Sequence, residues 1–254
     1  MPVLLQHDVH GPDDAPPLVL SGSVGSTIDM WAPNVPALAA RFRVVRLNHR
    51  GHGRSPAPPG PYHIEDLAED ALATLDALGI ERFAWCGLSM GAMIGMAIAT
   101  QQPERLDALV LCCTSARLAD TSVWRERAER VAREGTRPLA PEIVRRWFTE
   151  RWARHHPAEV ARARSWVATT SDDAYRNCCD AIAEWDHLER LPAITAPTLV
   201  LAGEHDIATP PEPDATTLAD RIPDARLEIL DAAHLATMEA PAAADHALLR
   251  HLLR

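Results

Sequence analysis

The stretch Phe83-Ala84-Trp85-Cys86-Gly87-Leu88-Ser89-Met90-Gly91 decides the fold, because it joins a short apolar run to a serine between glycines. Its last five residues match the pattern G-x-S-x-G. The apolar residues before it predict a buried strand, and the apolar run Met90–Gln101 predicts a buried helix. A serine on a sharp strand-to-helix turn is typical of an activated nucleophile. We therefore expect Ser89 to be a nucleophile at the end of a central strand.

Short apolar runs alternate with longer amphipathic ones along most of the chain. Runs rich in Val, Leu and Ile predict six strands, which are Leu18–Leu20, Arg43–Leu47, Phe83–Gly87, Leu106–Cys113, Thr198–Ala202 and Arg226–Leu230. Apolar residues that recur every three or four positions predict helices between them, among them Ile64–Leu78, Met90–Gln101 and Ala240–Leu253. This alternation predicts an α/β fold with a doubly wound, mostly parallel sheet.

One long stretch, residues 116–191, interrupts this alternation with helical patterns and no convincing strand. It contains many arginines and five of the seven tryptophans of the chain, a set made up of Trp124, Trp147, Trp152, Trp166 and Trp185. The strand pattern resumes after Pro197. We expect this stretch to be a helical cap inserted over the carboxyl end of the sheet, with residues 1–115 and 192–254 forming the core domain.

The bulk composition limits the kinds of partner that the protein can have. The chain has 254 residues, of which 47% are apolar, and a net charge of −10. An acidic surface argues against nucleic acid or an anionic membrane as the main partner. No apolar run reaches the roughly 18 residues that a membrane span needs. The residues Met1–Asp8 lack a basic region followed by an apolar stretch, so no signal peptide is expected.

The five cysteines include the adjacent pairs Cys112-Cys113 and Cys178-Cys179, which make a poor disulfide framework. An odd number of cysteines in this arrangement fits a reducing cytoplasm, where buried and inert thiols are expected. No spacing of cysteine and histidine resembles a zinc site. We expect the protein to need neither a metal ion nor a cofactor.

A serine nucleophile needs a base, and strand ends later in the chain offer one. Asp206 lies in the loop after the Thr198–Ala202 strand, and His234 follows the last predicted strand. In this order, His234 would take the proton from Ser89 and return it to the leaving oxygen, while Asp206 would orient the imidazole. Glu204 and Asp231 are rival acids close to these positions, and the other histidines lack both the strand-end position and the order.

Two backbone amides are expected to form an oxyanion hole. One is the N–H of Met90, the residue after the nucleophile, and the other is the N–H of Ser23 in the small-residue loop after the first strand. Val24 is the alternative in that loop. The nearby turn Arg50-Gly51-His52-Gly53-Arg54-Ser55 matches no phosphate-binding glycine pattern, so we expect it to brace the sheet.

The combined motifs resemble those of the 3-oxoadipate enol-lactonases of the α/β-hydrolase superfamily. The resemblance covers nearly the whole chain and is carried in the core by Cys86–Gly91, Pro103–Leu106, Leu109–Leu111, Arg50–Gly53, Pro59–Tyr62 and Leu75–Ile80. It continues in the cap and beyond it through Arg146–Thr149, Tyr175–Cys179, Ile194–Thr198 and Ala232–Leu235. Two departures stand out: Asn48 replaces a usual aspartate, and Ala92 replaces a usual glycine.

The resemblance implies a cytoplasmic, cofactor-free lactonase of aromatic degradation with an α/β-hydrolase fold. Ser89, Asp206 and His234 match the family's catalytic triad. The implied substrate is a small five-membered enol-lactone that carries a carboxymethyl group. Its carboxylate calls for a cation, for which Arg130, Arg133 and Arg145 in the cap are candidates, with Arg133 as the substrate-binding choice.

Val24, Trp124 and Trp147 are the expected apolar walls of the substrate pocket. The triad alone leaves other activities open. They are a broader carboxylesterase or tailoring hydrolase acting on larger esters, a slow-turnover ligand receptor, and a hydrolase of carbon–carbon bonds in β-diketones. The pocket under the cap distinguishes them, because a narrow pocket with a buried arginine favours the small acidic lactone and an open apolar groove favours the esterase.

Overall fold

The computed structural model describes all 254 residues and contains one seven-stranded sheet. Its strands are β1 (His7–His10), β2 (Pro17–Ser21), β3 (Arg43–Leu47), β4 (Phe83–Leu88), β5 (Leu106–Cys112), β6 (Thr198–Gly203) and β7 (Ala225–Leu230). They lie in the order β1-β3-β2-β4-β5-β6-β7. Every neighbouring pair is parallel except β1 and β3. The prediction of a mostly parallel sheet is confirmed.

The antiparallel edge strand β1 is the strand that the sequence did not predict. Its residues His7-Asp8-Val9-His10 include a single apolar side chain, and none of the four is buried. An antiparallel edge strand tolerates this, because one or both of its faces can remain in water. The strand is held to β3 by its backbone and by an ion pair in which Arg46 Nη2 lies 2.6 Å from Asp8 Oδ2.

Eleven α-helices accompany the sheet. They are α1 (Val35–Leu38), α2 (Ile64–Ala77), α3 (Met90–Gln101), α4 (Ser122–Glu134), α5 (Ala140–Arg145), α6 (Glu150–His155), α7 (Pro157–Thr169), α8 (Asp172–Ala183), α9 (Thr216–Arg221), α10 (Ala236–Glu239) and α11 (Pro241–Leu252). From β2 to β3 the chain moves towards one edge of the sheet, and after β3 it moves towards the other edge. Because the crossovers between parallel strands are right-handed, α1 lies on one face of the sheet and α2, α3 and α9 lie on the other. The doubly wound arrangement is therefore also confirmed. None of the helices combines the length and the apolar character that a bilayer crossing requires.

The centre of the core is formed by β4 and the helix that follows it. All six residues of β4 are buried, as are the first ten residues of α3. This explains why α3 is almost wholly apolar instead of amphipathic, since it is covered on every side. Trp85 in β4 donates its indole N–H to the carbonyl of Gly91 at 2.9 Å. The position of Ser89 between these two elements is consequently fixed by the most buried part of the molecule.

The helices α4 to α8 form an insertion between β5 and β6. The two ends of the insertion meet at a narrow neck, where Arg117 and Asp186 form an isolated antiparallel bridge. Next to it, the N–H of His187 donates to the carbonyl of Ala116 at 2.8 Å. The insertion thus leaves the core and returns to it at one point, and its helices form a cap beside the carboxyl ends of the central strands.

Candidate active site

Ser89 lies on a strained turn between β4 and α3. Its backbone angles are φ 58° and ψ −117°, a combination that non-glycine residues rarely adopt and that the surrounding structure must enforce. Its N–H donates to the carbonyl of Cys112 at 2.8 Å, and its carbonyl accepts from the hydroxyl of Thr114 at 3.0 Å. Both partners belong to the end of β5 or the loop after it. The neighbouring strand therefore holds the turn that carries the serine side chain.

The two glycines of the G-x-S-x-G motif are required by the close approach of backbone. A Cβ atom added to Gly87 would lie 2.2 Å from the carbonyl oxygen of Gly91. One added to Gly91 would lie 2.3 Å from the carbonyl oxygen of Ser21 at the end of β2. The N–H of Gly91 also donates to the carbonyl of Gly22 at 3.0 Å. The motif thus packs the turn directly against the loop that follows β2.

Asp206 and His234 form a buried hydrogen-bonded pair. The Nδ1 atom of His234 lies 2.7 Å from Asp206 Oδ2, and the side chains are at most 5% exposed. The rival acids occupy other places, because Glu204 is exposed and Asp231 pairs instead with His205 and Arg151. Of the three acidic residues, the structure brings Asp206 to the histidine.

Three further donors fix the carboxylate of Asp206. The N–H of Ala208 lies 2.7 Å from Oδ1, and Thr209 donates both its N–H at 3.2 Å and its hydroxyl at 2.8 Å. Burial alone would raise the pKa of Asp206, but His234 and these donors outweigh burial and hold it below the ordinary range. The carboxylate therefore stays ionised, which is the state that can orient an imidazole and stabilise its protonated form.

The histidine loop lies beside the strand end that holds the serine turn. The sulfur of Cys113 is 4.0 Å from the carbonyl oxygen of Ala233, and the preceding residue, Cys112, accepts the bond from Ser89. Ser89 and His234 thus flank the same two cysteines. No hydrogen bond joins the Ser89 hydroxyl to the His234 ring, and such bonds often form only when a substrate is in place.

The expected oxyanion loop leaves its amides available. The N–H groups of Ser23 and Val24 donate to no protein acceptor, whereas the carbonyl of Ser23 accepts from both the N–H and the hydroxyl of Ser26. Met90 is the first residue of α3, so its N–H has no partner within the helix. These three amides can stabilise negative charge on an oxygen that approaches Ser89.

Two buried histidines hold this loop from behind. His49 Nε2 lies 2.8 Å from the carbonyl oxygen of Gly22, and His52 Nε2 accepts the N–H of Gly25 at 2.8 Å. Burial, with a smaller contribution from His49, lowers the pKa of His52 to about 3, so His52 is neutral and can act as an acceptor. The turn that contains His52 therefore braces the oxyanion loop, an assignment more specific than the sheet bracing that the sequence suggested.

A cavity of about 250 Å³ opens between this loop and the cap. Ser23, Val24 and His234 line it from the core, and Trp124 and Trp147 line it from the cap. Other residues of its wall, not singled out from the sequence, are Leu118, Ala119, Asp120, Val123, Arg127, Ile143, Arg146, Tyr175, Ala208, Pro210, Pro213 and Asp214. Ser89, Met90 and Asp206 are buried behind the wall. The volume suits a small ligand.

The prediction that Arg133 contacts the substrate is not supported. Its side chain is 62% exposed and lies 3.9 Å from Glu129, on the outer face of α4. Arg130 pairs with Glu142, and Arg145 lies in a different depression with Glu142 and Glu150. The arginines of the cavity are Arg127 and Arg146. The sequence indicated Arg133 only as one cation of a helical cap, and it could not show which face of α4 (Ser122–Glu134) turns towards the cavity, because packing sets that rotation.

The two cavity arginines have no carboxylate partner. The guanidinium of Arg127 lies over the ring of Trp124, 4.5 Å from its centroid, and makes no ion pair. Arg146 reaches only the carbonyl of Ile207 at 3.4 Å, and its Nε is buried without a partner. Burial and then the charge of Arg127 lower the pKa of Arg146. The cavity therefore contains two guanidinium groups outside any ion pair, which can bind an anionic group of a ligand.

Tyr175 of helix α8 completes this part of the wall. It is fully buried, its ring packs against Gly25 of the oxyanion loop, and its hydroxyl has no hydrogen-bond partner. Burial raises the pKa of Tyr175, so the hydroxyl remains a donor. The carboxyl groups of Asp120 and Asp214 also line the cavity, and burial raises the pKa of Asp214. The donors of this wall are thus the guanidinium groups of Arg127 and Arg146 and the hydroxyl of Tyr175, which suit a small ligand that carries acceptor oxygens.

The two departures from the family pattern lie outside the cavity. Asn48 accepts the N–H of Ile28 at 2.8 Å and donates to the side chain of Gln6 at 2.8 Å, a double role that an ionised aspartate cannot fill because it has no donor. Ala92 is fully buried in α3. Neither residue lines the cavity, so both departures are matters of packing.

Comparisons with known proteins agree with this geometry. Residues 16–241 match the model of the α/β hydrolase fold. 3-Oxoadipate enol-lactonase 2 of Acinetobacter baylyi is 35% identical over 97% of this chain and 92% of its own. A RutD protein of Caulobacter sp., a carbamate hydrolase by name, is 33% identical over 98% of this chain and 95% of its own. The enol-lactonase of Burkholderia xenovorans superimposes with a TM-score of 0.96 at 38% identity, covering 98% of this chain and 96% of that one. The resemblance that the motifs indicated is confirmed.

Proposed function

Because the chain belongs to the α/β hydrolase fold family, and within it to the 3-oxoadipate enol-lactonases that its motifs resemble, we propose that it is a serine hydrolase of a small enol-lactone. The substrate proposed is 3-oxoadipate enol-lactone, which hydrolysis converts to 3-oxoadipate. The observation that carries the proposal is the small cavity beside the Asp206–His234 pair, in which Arg127 and Arg146 have no carboxylate partner.

The proposed reaction begins with attack of the Ser89 hydroxyl on the lactone carbonyl. His234 takes the hydroxyl proton, and Asp206 stabilises the imidazolium that results. The N–H groups of Met90 and of Ser23 or Val24 bind the oxyanion. The ring C–O bond then breaks, and His234 returns the proton to the enol oxygen, which leaves as an enol and tautomerises to the ketone.

The second half of the reaction releases the acid. A water molecule gives its proton to His234 and attacks the acyl carbon, and collapse of the second tetrahedral intermediate restores the Ser89 hydroxyl. Before ring opening the substrate carries one carboxylate, and Arg127, Arg146 and the hydroxyl of Tyr175 are the groups proposed to bind it. Trp124 and Trp147 would cover the apolar part of the ring.

A carbamate hydrolase is the second candidate, because the sequence identity of the RutD relative, 33%, is close to the 35% of the enol-lactonase from Acinetobacter baylyi. A carbamate would use the same nucleophile and base. The two unpaired arginines favour a substrate that carries a carboxylate away from the scissile bond, as the enol-lactone does. A broad carboxylesterase fits less well, since the cavity is small.

Steady-state kinetics on three substrates test the proposal. 3-Oxoadipate enol-lactone, p-nitrophenyl acetate and a small carbamate are compared under the same conditions. We expect the lactone to have the highest kcat/KM. If the ester has the higher value, the lactonase proposal fails and an esterase remains, and if only the carbamate is turned over, the second candidate replaces it.

A further inference from the structure

A short segment of the cap, Trp147–Thr149 between α5 and α6, contacts the chain on both sides of His234. The carbonyl of Trp147 accepts the N–H of Leu235, the residue after His234, at 2.9 Å. The side chain of Trp147 meanwhile lines the cavity. One residue of the cap therefore contributes a wall to the ligand site and a hydrogen bond to the histidine loop.

Glu239 makes the connection on the other side of the histidine. It ends the short helix α10, and its Oε2 accepts the N–H of Ala233, the residue before His234, at 3.0 Å. The same carboxylate accepts the N–H of Thr149 at 3.1 Å, and it also accepts the Thr149 hydroxyl. Glu239 thus ties the histidine loop to the N-terminus of cap helix α6.

These bonds leave the backbone at His234 little freedom. Ala233 is 3% exposed, so in the folded protein its N–H depends on Glu239 for an acceptor. Glu239 makes no ion pair with a cation, and the contacts it does make are these donors. A displacement of about 1 Å in a catalytic group can cost a hundredfold in rate. The carboxylate of Glu239 is consequently well placed to control the orientation of the imidazole.

We propose that Glu239 and Thr149 form a positioning pair, the cap–histidine clamp, through which the cap fixes His234 for catalysis. The inference rests on the proposed role of His234 as the base. It assigns to Glu239 a function in turnover that acts through His234, without contact to the substrate. The cap is then part of the catalytic machinery as well as the wall of the ligand cavity.

A matched control exists inside the cap. The N–H and hydroxyl of Thr136 lie 2.7 Å and 2.8 Å from Asp172 Oδ1, so this pair repeats the threonine–carboxylate contact of the clamp. It joins two parts of the cap and touches no residue of the histidine loop. Asp172→Asn and Thr136→Val therefore damage the cap to a similar degree without affecting the clamp.

The test compares Glu239→Gln and Thr149→Val with these controls, using p-nitrophenyl acetate so that lactone specificity plays no part. We expect the clamp variants to lose roughly ten- to a hundredfold in kcat with KM changed less than about threefold. Thr149→Ser, which keeps the hydroxyl, should recover most of the rate. The control variants should lower the melting temperature by a similar amount and keep kcat within about twofold of the wild type.

A second measurement does not depend on turnover. The proton of the His234–Asp206 hydrogen bond should shift or broaden in the NMR spectrum of Glu239→Gln or Thr149→Val, and stay unchanged in Asp172→Asn. The inference is overturned, and the clamp is only structural, if the clamp and control variants lose kcat to the same extent for the same drop in melting temperature. It is also overturned if that proton is unmoved in a folded clamp variant. Failure of the proposed function would look different, because ester turnover would then survive in the Ser89→Ala variant.

Discussion

The two sides of the cavity hold their functional groups by different means. On the core side, Ser89, Asp206 and His234 follow the ends of β4, β6 and β7, where parallel strands bring separated parts of the chain to one edge. On the cap side, Arg127 and Tyr175 project from helices whose rotation is fixed only by packing against each other and against the core. The positions of the functional groups on the core side are therefore set by the backbone of the sheet, and those on the cap side are set by side-chain packing.

This difference teaches which features of the site tolerate change. A Cβ on Gly91 meets backbone that cannot move, whereas a Cβ on Gly25 meets the ring of Tyr175. We therefore expect the proposed chemistry to depend on the rigid half of the site. We expect selectivity to depend on the half where a single substitution alters the wall without disturbing the sheet.

The largest effect is expected from the core side. Ser89→Ala and His234→Ala should each reduce kcat by about four to six orders of magnitude, because the members of such a triad act as a unit. The double variant should be scarcely worse than either single one, and circular dichroism should report an unchanged fold. Turnover within tenfold of the wild type in Ser89→Ala would remove Ser89 from the mechanism.

The contrast also explains which features the sequence could predict. Strand ends are marked by short apolar runs, so the order of Ser89, Asp206 and His234 could be placed on the sheet from the sequence alone. Helix α3 was predicted with the bounds Met90–Gln101 that it has, since burial on all sides gives a continuous apolar run. Polar edge strand β1 gave no such signal.

The cap could be predicted as helical but its inward faces could not. Arg133 and Arg127 lie on the same helix, six residues apart, and nothing local distinguishes the one that faces Glu129 from the one that faces the cavity. Only the packing of α4 against α8 determines which side is buried. Tyr175 was missed for the same reason, although the resemblance already included its segment.

A matched pair of cap variants sharpens the comparison. Arg127→Gln should raise KM for an anionic lactone by about ten- to a hundredfold, which corresponds to roughly 1.5–3 kcal/mol for a hydrogen bond to a charged group. Turnover of the neutral p-nitrophenyl acetate should change less than about threefold, since the charge of the wall matters only to an anion.

Arg133→Gln is the control for this pair, because its side chain pairs with Glu129 at the surface. It should leave kcat/KM for both substrates unchanged within about twofold. Equal losses in the two variants would mean that the cap arginines act through overall charge, and that the cavity wall does not select the carboxylate.

Tyr175→Phe should have two smaller effects of opposite kind, one on stability and one on substrate binding. Removal of a buried hydroxyl without a partner should leave stability unchanged or increase it, by up to about 1 kcal/mol. If the hydroxyl binds the substrate, KM for the lactone should rise by about three- to tenfold in the same variant. Thermal unfolding and steady-state kinetics on one preparation measure both, and a loss of stability with unchanged KM would contradict the assignment.

The last effect is on the pH dependence of stability and concerns the histidine that braces the oxyanion loop. Burial lowers the pKa of His52 to about 3 in the folded protein, below its ordinary value of 6.5, so the unfolded chain takes up this proton first as the pH falls. His52 therefore removes stability as the pH falls from about 6.5 towards 3, by up to ~1.4 kcal/mol per pH unit. Urea unfolding between pH 7 and pH 4.5 should show a shallower decline for His52→Gln than for the wild type, even if that variant is less stable at pH 7. Parallel declines would mean that His52 is protonated in the folded protein, and Gly25 would then need another acceptor to hold the loop against Ser89.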